Sequence, residues 1–492
     1  MEIIDYLNKY KYHLFVAFNI LWIWTLLSPN IYYFDDNYRA AGGYYNWGGD
    51  FRPFADYLYY ILGMGRNFTD LTPLPQLFAL VFLYSIYFLY IKKFNAGKIN
   101  IPILLVFLPI VWSPFLLANL YFRYDSIFML LAILLSVLAV FCVDKKQYIR
   151  AVVLLFVTCG FYQPAIVAYI CTTLFIVYTL QAESKSGLFQ LWLKKSFIYF
   201  LVFLGGVATY YFTIMKFTTD YNFYSASHSQ MEIYNLVPNI TQVLQELSVI
   251  FKGDTGSIFF AIFIYLVLIN LAFLVKKFSY LGILIFCIHI IVFLVAAAGV
   301  NLLLNVPRFE YRTLIFFGFF ISYLLLGMKY LLAQDQYKKY VYIVLFFVGF
   351  YFLSIALNVS NAQKYKNKFD DALILDIVNT LYDSKKFNSN KTIVFYGETI
   401  PYTAQRLVDK YPIIAGVATN ASYYTYKIQN FFPYQLKYIK FRLNKDKQEF
   451  MNHIKNQKDF LIIKDTRFYT IYDSQINTVI EFKSLEESEV FN

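Results

Sequence analysis

The chain has few charged residues for its size. Of its 492 residues only 15% are Asp, Glu, Lys or Arg, whereas 59% are hydrophobic. Soluble domains carry about 25% charged residues, so this scarcity excludes an ordinary soluble globular domain. Apolar runs of the roughly 20 residues that a spanning helix needs recur over about the first 360 residues. The sequence therefore predicts an α-helical polytopic membrane protein.

Cysteine and histidine are also scarce, at four residues each. Cys142, Cys159, Cys171 and Cys287 lie within or at the ends of apolar runs, where a thiol behaves as a small hydrophobe. No CxxC or Cys/His spacing typical of a metal site occurs. His289 stands alone in an apolar run and is expected to pack between helices.

The sequence lacks internal repeats, low-complexity tracts and a phosphate-cradling glycine loop. The stretch "GYYNWGG" (43–49) is aromatic and is not followed by a Lys-Ser/Thr pair. The formal net charge of +12 comes largely from lysines in short loops between apolar runs. That placement is typical of membrane topology, so nucleic-acid binding is not expected.

About eleven transmembrane helices are predicted from the lengths of the apolar runs. The run from Arg150 to Gln181 is too long for one helix, and the Gln163-Pro164 pair predicts a break inside it. The expected spans cover residues 12–31, 74–91, 101–117, 125–143, 150–162, 163–181, 196–215, 257–275, 280–304, 311–332 and 340–358.

Alternate loops carry lysine, which predicts their orientation. Lysines fall before the first span and in every second loop after it, including Lys92, Lys145, Lys194 and Lys276. These loops are expected to be cytoplasmic. The first span has no small-residue cleavage site after it and is expected to be retained rather than removed as a signal peptide.

The tail differs from the rest of the chain, because charge density rises and no apolar run of spanning length survives. "KTIVFYGE" (391–398), "FLIIKD" (460–465) and "TVIEFK" (478–483) predict strands, and residues 370–383 predict an amphipathic helix. We therefore expect a transmembrane domain over 1–358, with periplasmic loops at 32–73 and 216–256, and a C-terminal periplasmic α/β or α+β domain over 359–492.

Arginine is distributed differently from lysine. Six of the ten arginines lie at the ends of spans on the expected outer side, against the topological bias: Arg39, Arg52, Arg66, Arg123, Arg308 and Arg312. Arginine captures phosphate or carboxylate in a bidentate manner. A shared anionic ligand is one interpretation, and pairing with nearby acids such as Asp70, Asp125 and Glu310, or snorkelling to lipid phosphates, is the other.

Polar residues near the arginines complete the candidate site. Asp35 and Asp36 directly follow the first span, where a carboxylate could act as a general base. The alternative is that Asp36 caps a short helix starting at Asn37. Asp125 lies at the start of the fourth span, and Gln163 at the helix break could bind a polyhydroxylated ligand or make a contact between helices.

The chain resembles the bacterial and phage-encoded O-antigen glucosyltransferases that convert serotype, and more distantly the GT-C fold of glycosyltransferases that use lipid-linked sugars. The resemblance runs through the membrane portion. It rests on "DDNYRAAGG" (35–43), "GMGR" (63–66), "DLTPLPQL" (70–77), "NLYFRYDS" (119–126), "GFYQPA" (160–165) and "VPRF" (306–309).

This resemblance implies a polyprenyl-phosphate-linked sugar donor, usually of glucose, and an O-antigen or related surface glycan as acceptor. It implies a multi-pass enzyme of the bacterial inner membrane whose active site faces the periplasm. A catalytic acid in the first outer loop of GT-C enzymes carries over to Asp35 or Asp36. The other expected site residues are Arg39, Arg66, Arg123, Asp125, Gln163 and Arg308. No cofactor is expected, although some GT-C enzymes use a divalent metal.

Two rival functions fit a polytopic chain with large outer loops. O-antigen polymerases and ligases rely on arginine-rich outer loops but lack an acidic pair straight after the first span. A lipid or glycan transporter is expected to place charges near the bilayer midplane and to carry inverted repeats. Here ionisable residues gather at one face, which favours a glycosyltransferase.

The lysine pattern generates a test of topology. We expect cysteine labelling or reporter fusions at positions 230 and 420 to report the periplasm. Position 230 lies in the loop 216–256 and position 420 in the tail, and both are expected on the side opposite to the lysine-bearing loops. A cytoplasmic signal at either position would overturn the number of spans and the site built on them.

Overall fold

The computed structural model of the protein describes most of the chain. It describes residues 9–65, 67–95, 97, 99–183, 188–218, 232–278, 280–307, 309–328, 335–384, 390–397, 399–418, 424–432, 436–438, 448–453 and 460–483. The described chain is mostly helical, with a small β-sheet near its C-terminal end.

Helices long and apolar enough to cross a membrane dominate the described residues. Six qualify by length and composition: Leu74–Phe94, Ser126–Asp144, Leu188–Tyr210, Gly253–Phe278, Tyr280–Ala298 and Asp335–Asp383. Five shorter apolar helices accompany them: Lys11–Leu27, Ile101–Trp112, Tyr148–Phe161, Val167–Glu183 and Phe316–Gly327. The chain is therefore a multi-pass membrane protein.

The described chain divides into two units. The first holds residues 1–28, 44–359 and 409–417, and the second holds residues 29–43, 360–408 and 418–492. The remaining α-helices among the described residues have 4 to 13 residues: Asp36–Gly42, Pro53–Leu62, Leu117–Tyr121, Leu236–Ser248, Tyr402–Lys410, Ala415–Ala418 and Tyr424–Lys427. The segment directly after the first apolar helix thus belongs to the same unit as most of the tail.

Some helices of the first unit approach each other closely at positions occupied by glycine. A Cβ on Gly206 would lie 2.5 Å from Cβ of Leu155, and one on Gly318 would lie 2.4 Å from the carbonyl oxygen of Pro109. Small residues of this kind let helix backbones approach in a membrane, where apolar side chains gain nothing by leaving lipid. Both contacts join pairs of apolar helices.

The predicted break at Gln163 is confirmed. The helix Tyr148–Phe161 ends there, a 3₁₀ turn covers Gln163–Ile166, and the next helix begins at Val167. Pro164 lacks a backbone N–H and disfavours the α-helical conformation for the residue before it, so a continuous helix is disfavoured, and Tyr162 at the boundary is extended.

Within the described part of the second unit, the sheet has five strands in the order β2-β1-β5-β4-β3. Strand β1 is parallel to β2 and β5, whereas β3–β4 and β4–β5 are antiparallel. The strands are β1 Thr392–Tyr396, β2 Lys437–Tyr438, β3 Leu461–Asp465, β4 Tyr469–Asp473 and β5 Asn477–Phe482. All three predicted strands are confirmed, and β2 and β4 were not predicted.

One long helix supplies the apolar face that covers this sheet. Leu373, Ile374 and Ile377 of the helix Asp335–Asp383 pack into one core with Ile471 and other apolar residues of the strands. The amphipathic helix predicted at 370–383 is helical, but its predicted start is wrong. No glycine or proline occurs between residues 350 and 383, so nothing ends the preceding helix before that point.

A buried ion pair joins the strands that flank β5. Lys391 Nζ lies 2.6 Å from Asp473 Oδ2, with side chains only 7% and 6% exposed. Thr478, the first residue of β5 that pairs with β4, donates to the other carboxylate oxygen of Asp473 at 2.7 Å. The three residues close one end of the sheet through a satisfied polar cluster.

This pair predicts a large loss of stability on removing one partner. Lys391→Met would leave the Asp473 carboxylate buried without its cation, which costs about 3–5 kcal/mol. The matched control is Lys464→Met, since Lys464 pairs with Asp376 at 2.9 Å at the surface, where such a pair contributes about 0–1 kcal/mol. Pulse proteolysis of the tail in urea would measure both, and equal losses would contradict the role of burial.

Candidate functional site

The segment that follows the first apolar helix forms a tight turn and then the short helix Asp36–Gly42. Asn30 and Phe34 both have φ of 47°, in the left-handed region that bulky residues such as Phe rarely adopt. The Asn37 side-chain amide holds this turn by donating to the carbonyl oxygens of Tyr32 and Phe34, each at 3.1 Å. The backbone around the predicted catalytic residues is therefore fixed by local hydrogen bonds.

The two predicted catalytic aspartates have different environments. Asp36 is fully buried, and its carboxylate accepts the backbone N–H of Tyr33 at 3.1 Å. Asp35 occupies the N-cap position of the helix, is half-buried and makes no capping hydrogen bond. The alternative of a cap by Asp36 on a helix starting at Asn37 is wrong, because the helix begins at Asp36 itself. The carboxylate of Asp36 bonds the turn before the helix instead.

The predicted site residues fall in both units. Arg39 lies on the same short helix as Asp36 in the second unit and is buried, with 5% of its surface exposed. Asp125, Arg123 and Gln163 lie in the first unit. Arg66 and Arg308 lie outside the described residues.

Asp125 holds the first-loop tryptophan. It is buried, and its carboxylate accepts the indole N–H of Trp47 at 2.7 Å. The Trp47 ring lies 4.9 Å from the ring of Phe128 and 5.4 Å from that of Tyr59. A charge-assisted hydrogen bond inside an aromatic cluster fixes the loop that carries Trp47.

Asp56 is a residue that the sequence interpretation missed. Its carboxylate accepts the backbone N–H groups of Asn46, Trp47 and Gly48 at 3.1, 3.0 and 2.5 Å. The sequence feature that could have revealed it is its position in the first turn of the helix that begins at Pro53, where an acidic side chain is favoured. Asp56 thus supplies partners to a run of backbone donors that no regular structure satisfies.

Tyr45 ties the same loop to the chain beyond the helix Pro53–Leu62. Its hydroxyl donates to the carbonyl oxygen of Gly65 at 2.9 Å, and its ring packs edge-on against Phe68. Burial, with smaller contributions from Tyr60 and Asp56, raises the pKa of Tyr45 above its ordinary value. The phenol therefore stays protonated and remains a donor.

Gln163 lies at the centre of a second network on this loop. Its Oε1 accepts from Arg52 Nε at 3.0 Å, and its Nε2 donates to the carbonyl oxygen of Asp50 at 3.0 Å and to the Tyr210 hydroxyl at 2.8 Å. The Tyr210 hydroxyl donates in turn to the carbonyl oxygen of Phe51 at 2.9 Å. These contacts favour the interpretation of Gln163 as a polar contact within the bundle. Tyr210, at the end of an apolar run, was not predicted.

Two of the predicted outer arginines approach acids. Arg123 is buried, and its Nη1 lies 4.0 Å from Asp70 Oδ2. Arg312 Nε lies 2.5 Å from Glu310 Oε2, with its guanidinium over the Phe122 ring at 5.1 Å. Pairing with nearby acids thus accounts for part of the arginine excess. Among the described residues no group of three His, Cys, Asp or Glu side chains is placed to hold a metal ion.

The Gln163 network predicts a local change on mutation. Gln163→Leu keeps the approximate volume but leaves Arg52 and the Asp50 carbonyl without their partner. These groups are partly buried, and leaving them unsatisfied costs about 1 kcal/mol or more. Amides of residues 46–52 should therefore exchange at least about fivefold faster by hydrogen-exchange mass spectrometry.

The control for this variant is another glutamine at the end of an apolar helix. Gln147 is exposed and accepts from Arg150 at 3.3 Å, so Gln147→Leu should leave exchange of residues 46–52 unchanged. Unchanged exchange in Gln163→Leu as well would show that this loop is held by Asp56 and Asp125 alone.

Comparison with known proteins identifies a relative that matches part of the chain. A protein of Salmonella phage P22, named as an uncharacterized 55.3 kDa protein in the gtrB 5′ region, is 24% identical over 259 residues. The aligned region covers 51% of this chain and 53% of the relative, so the chain spans about half the length of the curated relative that it matches. No solved structure matches the chain significantly.

The family described as Glucosyl transferase GtrII matches residues 24–323. This region contains the turn with Asp35 and Asp36, the loop held by Asp56 and Asp125, and the break at Gln163. It covers more than half of the sequence. The chain therefore belongs to the Glucosyl transferase GtrII family, by its description a family of glycosyltransferases.

Proposed function

We propose that the chain transfers a glucosyl unit from polyprenyl phosphate to O-antigen or a related lipid-linked surface glycan. The observation that carries this proposal is the family match over residues 24–323 of a multi-pass chain. An enzyme embedded in the bilayer can take a donor whose isoprenoid tail lies in lipid, and therefore needs no soluble nucleotide sugar.

The proposed arrangement is GT-C-like, with eleven spans and an active site on the periplasmic face of the bacterial inner membrane. The six long and five short apolar helices among the described residues follow the eleven predicted spans in order. The lysine-bearing alternate loops support the orientation. In this arrangement residues 1–358 form the catalytic membrane domain and 359–492 a periplasmic domain.

The donor phosphate is proposed to be held by three arginines, Arg66, Arg123 and Arg308. The buried guanidinium of Arg123 offers a bidentate fork suited to a phosphate. When the anomeric C–O bond breaks, the departing polyprenyl phosphate gains a negative charge. Fixed cations around that charge stabilise the transition state.

The acceptor hydroxyl is proposed to be activated by Asp35 rather than Asp36. The Asp35 carboxylate takes the hydroxyl proton as the oxygen attacks the anomeric carbon, and polyprenyl phosphate leaves with the bonding electron pair. Asp36 is fully buried and bonds the Tyr33 N–H, which suits a structural role. Asp35 is half-buried, so part of its surface is accessible to solvent, as the role of base requires.

The remaining predicted site residues are proposed to position the site. Asp125 and Gln163 both bind the loop of residues 46–52 and hold it against the helices of the first unit. Arg39, buried one turn after the aspartates, is proposed to stabilise the turn that carries the base. An O-antigen polymerase or ligase would transfer the lipid-linked glycan itself and need no polyprenyl-phosphate glucose, so dependence on that donor separates the two functions.

The proposal predicts different outcomes for the two adjacent aspartates. Asp35→Asn removes basicity while keeping shape, and should reduce glucosyl transfer by about 10²–10⁴-fold, the usual contribution of a positioned base. Asp36→Asn should lower the yield of folded protein and reduce turnover per folded molecule by less. The assay is transfer from polyprenyl-phosphate glucose to lipid-linked O-antigen in membranes that contain equal amounts of enzyme.

The control is Asp254→Asn, an exposed acid in the first turn of an apolar helix of the first unit. It should transfer at the normal rate. Near-normal turnover in both Asp35→Asn and Asp36→Asn would show that the base lies elsewhere. Glycan extension that persists without the sugar-phosphate donor would instead point to a polymerase or ligase.

A further inference from the structure

The second unit contains a cavity of about 220 Å³. Three stretches of chain line it, within residues 30–37, 363–371 and 418–430, all of which belong to that unit. This volume is below the roughly 300–1,000 Å³ of pockets for drug-sized ligands. It suits a single small polar unit such as one sugar ring.

One wall of the cavity is a closed triangle of buried polar groups. Lys366 Nζ donates to Asp370 Oδ1 and to the Tyr424 hydroxyl, both at 2.7 Å, and that hydroxyl donates to Asp370 Oδ1 at 2.8 Å. The Lys366 side chain is only 5% exposed. A satisfied buried network of this kind is rigid and gives the wall a fixed shape.

The second polar wall is more accessible. Lys427 Nζ lies 2.9 Å from Asp371 Oδ1 and donates to Asn367 Oδ1 at 2.9 Å, while Asn367 Nδ2 donates to Asp371 Oδ2 at 3.1 Å. Asp371 is about half exposed, with 47% of its side chain accessible. Carboxylate acceptors, ammonium donors and an amide that does both therefore stand together at this wall.

The charge balance of the lining decides the class of ligand. Two lysines face two aspartates, so the cavity carries no net charge to attract a phosphate or an acidic sugar. Alternating donors and acceptors match the hydroxyl groups of a neutral sugar, each of which both donates and accepts. Tyr32 and Phe34 add aromatic surface on the turn side, which suits the apolar face of a sugar ring.

The turn side of the cavity is the segment that carries the proposed base. Phe34 and Asn37 both line the cavity, and Asp35 and Asp36 stand between them in the chain. We propose that this cavity binds one neutral sugar unit of the acceptor glycan, beside the residue that activates its hydroxyl. This inference rests on the proposed function for the identity of the glycan, but the binding itself does not depend on transfer.

The test compares two lysine–aspartate pairs of the same unit. Asp371→Asn and Lys427→Gln alter the cavity wall, whereas Asp376→Asn and Lys464→Gln alter a pair at 2.9 Å that does not line the cavity. Asp371 and Asp376 lie on the same helix, so the controls match in residue type and surroundings. Binding is followed by saturation-transfer NMR on the full-length protein in nanodiscs.

The probe is a lipid-free neutral O-antigen oligosaccharide released from the lipopolysaccharide of a host strain, with an oligogalacturonide as the acidic comparator. We expect the two cavity variants to weaken binding of the neutral probe by about tenfold or more, since each loses a charged hydrogen-bonding group. Both control variants should bind it as the unaltered protein does. Equal binding in all four variants, or tighter binding of the oligogalacturonide, would overturn the proposal.

Two further measurements keep the result interpretable. Should a cavity variant fail to fold, Asp371→Cys is alkylated with N-ethylmaleimide, and the neutral probe should slow that modification. Unslowed modification would count against the proposed binding of the sugar in the cavity.

Binding and transfer are also compared. If the unaltered protein binds the probe but transfers no glucose, the proposed function fails while the binding site stands. If it transfers glucose with the same acceptor KM in cavity and control variants, the binding site fails while the function stands.

Discussion

A bilayer interior offers no hydrogen-bond partner to a peptide group, and the architecture of the first unit follows from that constraint. Apolar helices satisfy their own backbone and can be buried in lipid. Irregular backbone cannot, and it needs side-chain partners wherever it adjoins the bundle. The loop of residues 46–52 illustrates this requirement, since its backbone N–H and C=O groups form hydrogen bonds to the side chains of Asp56, Gln163 and Tyr210.

That requirement explains why two residues predicted from the sequence to bind substrate are hydrogen-bonded to the protein itself. Gln163 bonds Arg52, two backbone groups and Tyr210, and Asp125 bonds Trp47. A polar side chain near a membrane surface can either bind a ligand or form hydrogen bonds to backbone groups that no regular secondary structure satisfies. A loop rich in glycine and aromatic residues, such as 43–49, favours the second, because it makes few backbone hydrogen bonds of its own.

Much of the fold could be predicted because its signals are local. Apolar length predicts the membrane helices, Pro164 predicts a break, and apolar runs predict three strands. His289 is bonded to Trp192 and Tyr323, as expected of a histidine packed between helices. Strand β4, "YTIYD", was missed although its Tyr, Thr and Ile residues favour strands. The partners of Gln163 could not be predicted either, since Arg52 is 111 residues away in the chain. The start of the helix over 370–383 was missed because a change from apolar to charged composition does not by itself end a helix.

The placement of the acidic pair links the two ends of the chain. Residues 29–43 belong with the tail, and Tyr38 of this segment packs against Tyr426, with ring centroids 3.8 Å apart. The family match ends at residue 323, so most of the second unit lies beyond the matched region while the aspartates lie within it. Lysine–aspartate pairs occur in both units, and in the tail they include Lys366–Asp370 and Lys427–Asp371. The buried Arg123 lies in the first unit. Arginine suits a phosphate and a balanced lysine–aspartate wall suits a neutral sugar. In the proposed mechanism, donor chemistry would thus stay with the matched membrane region, and acceptor choice could vary with the tail while the base stays in the same turn.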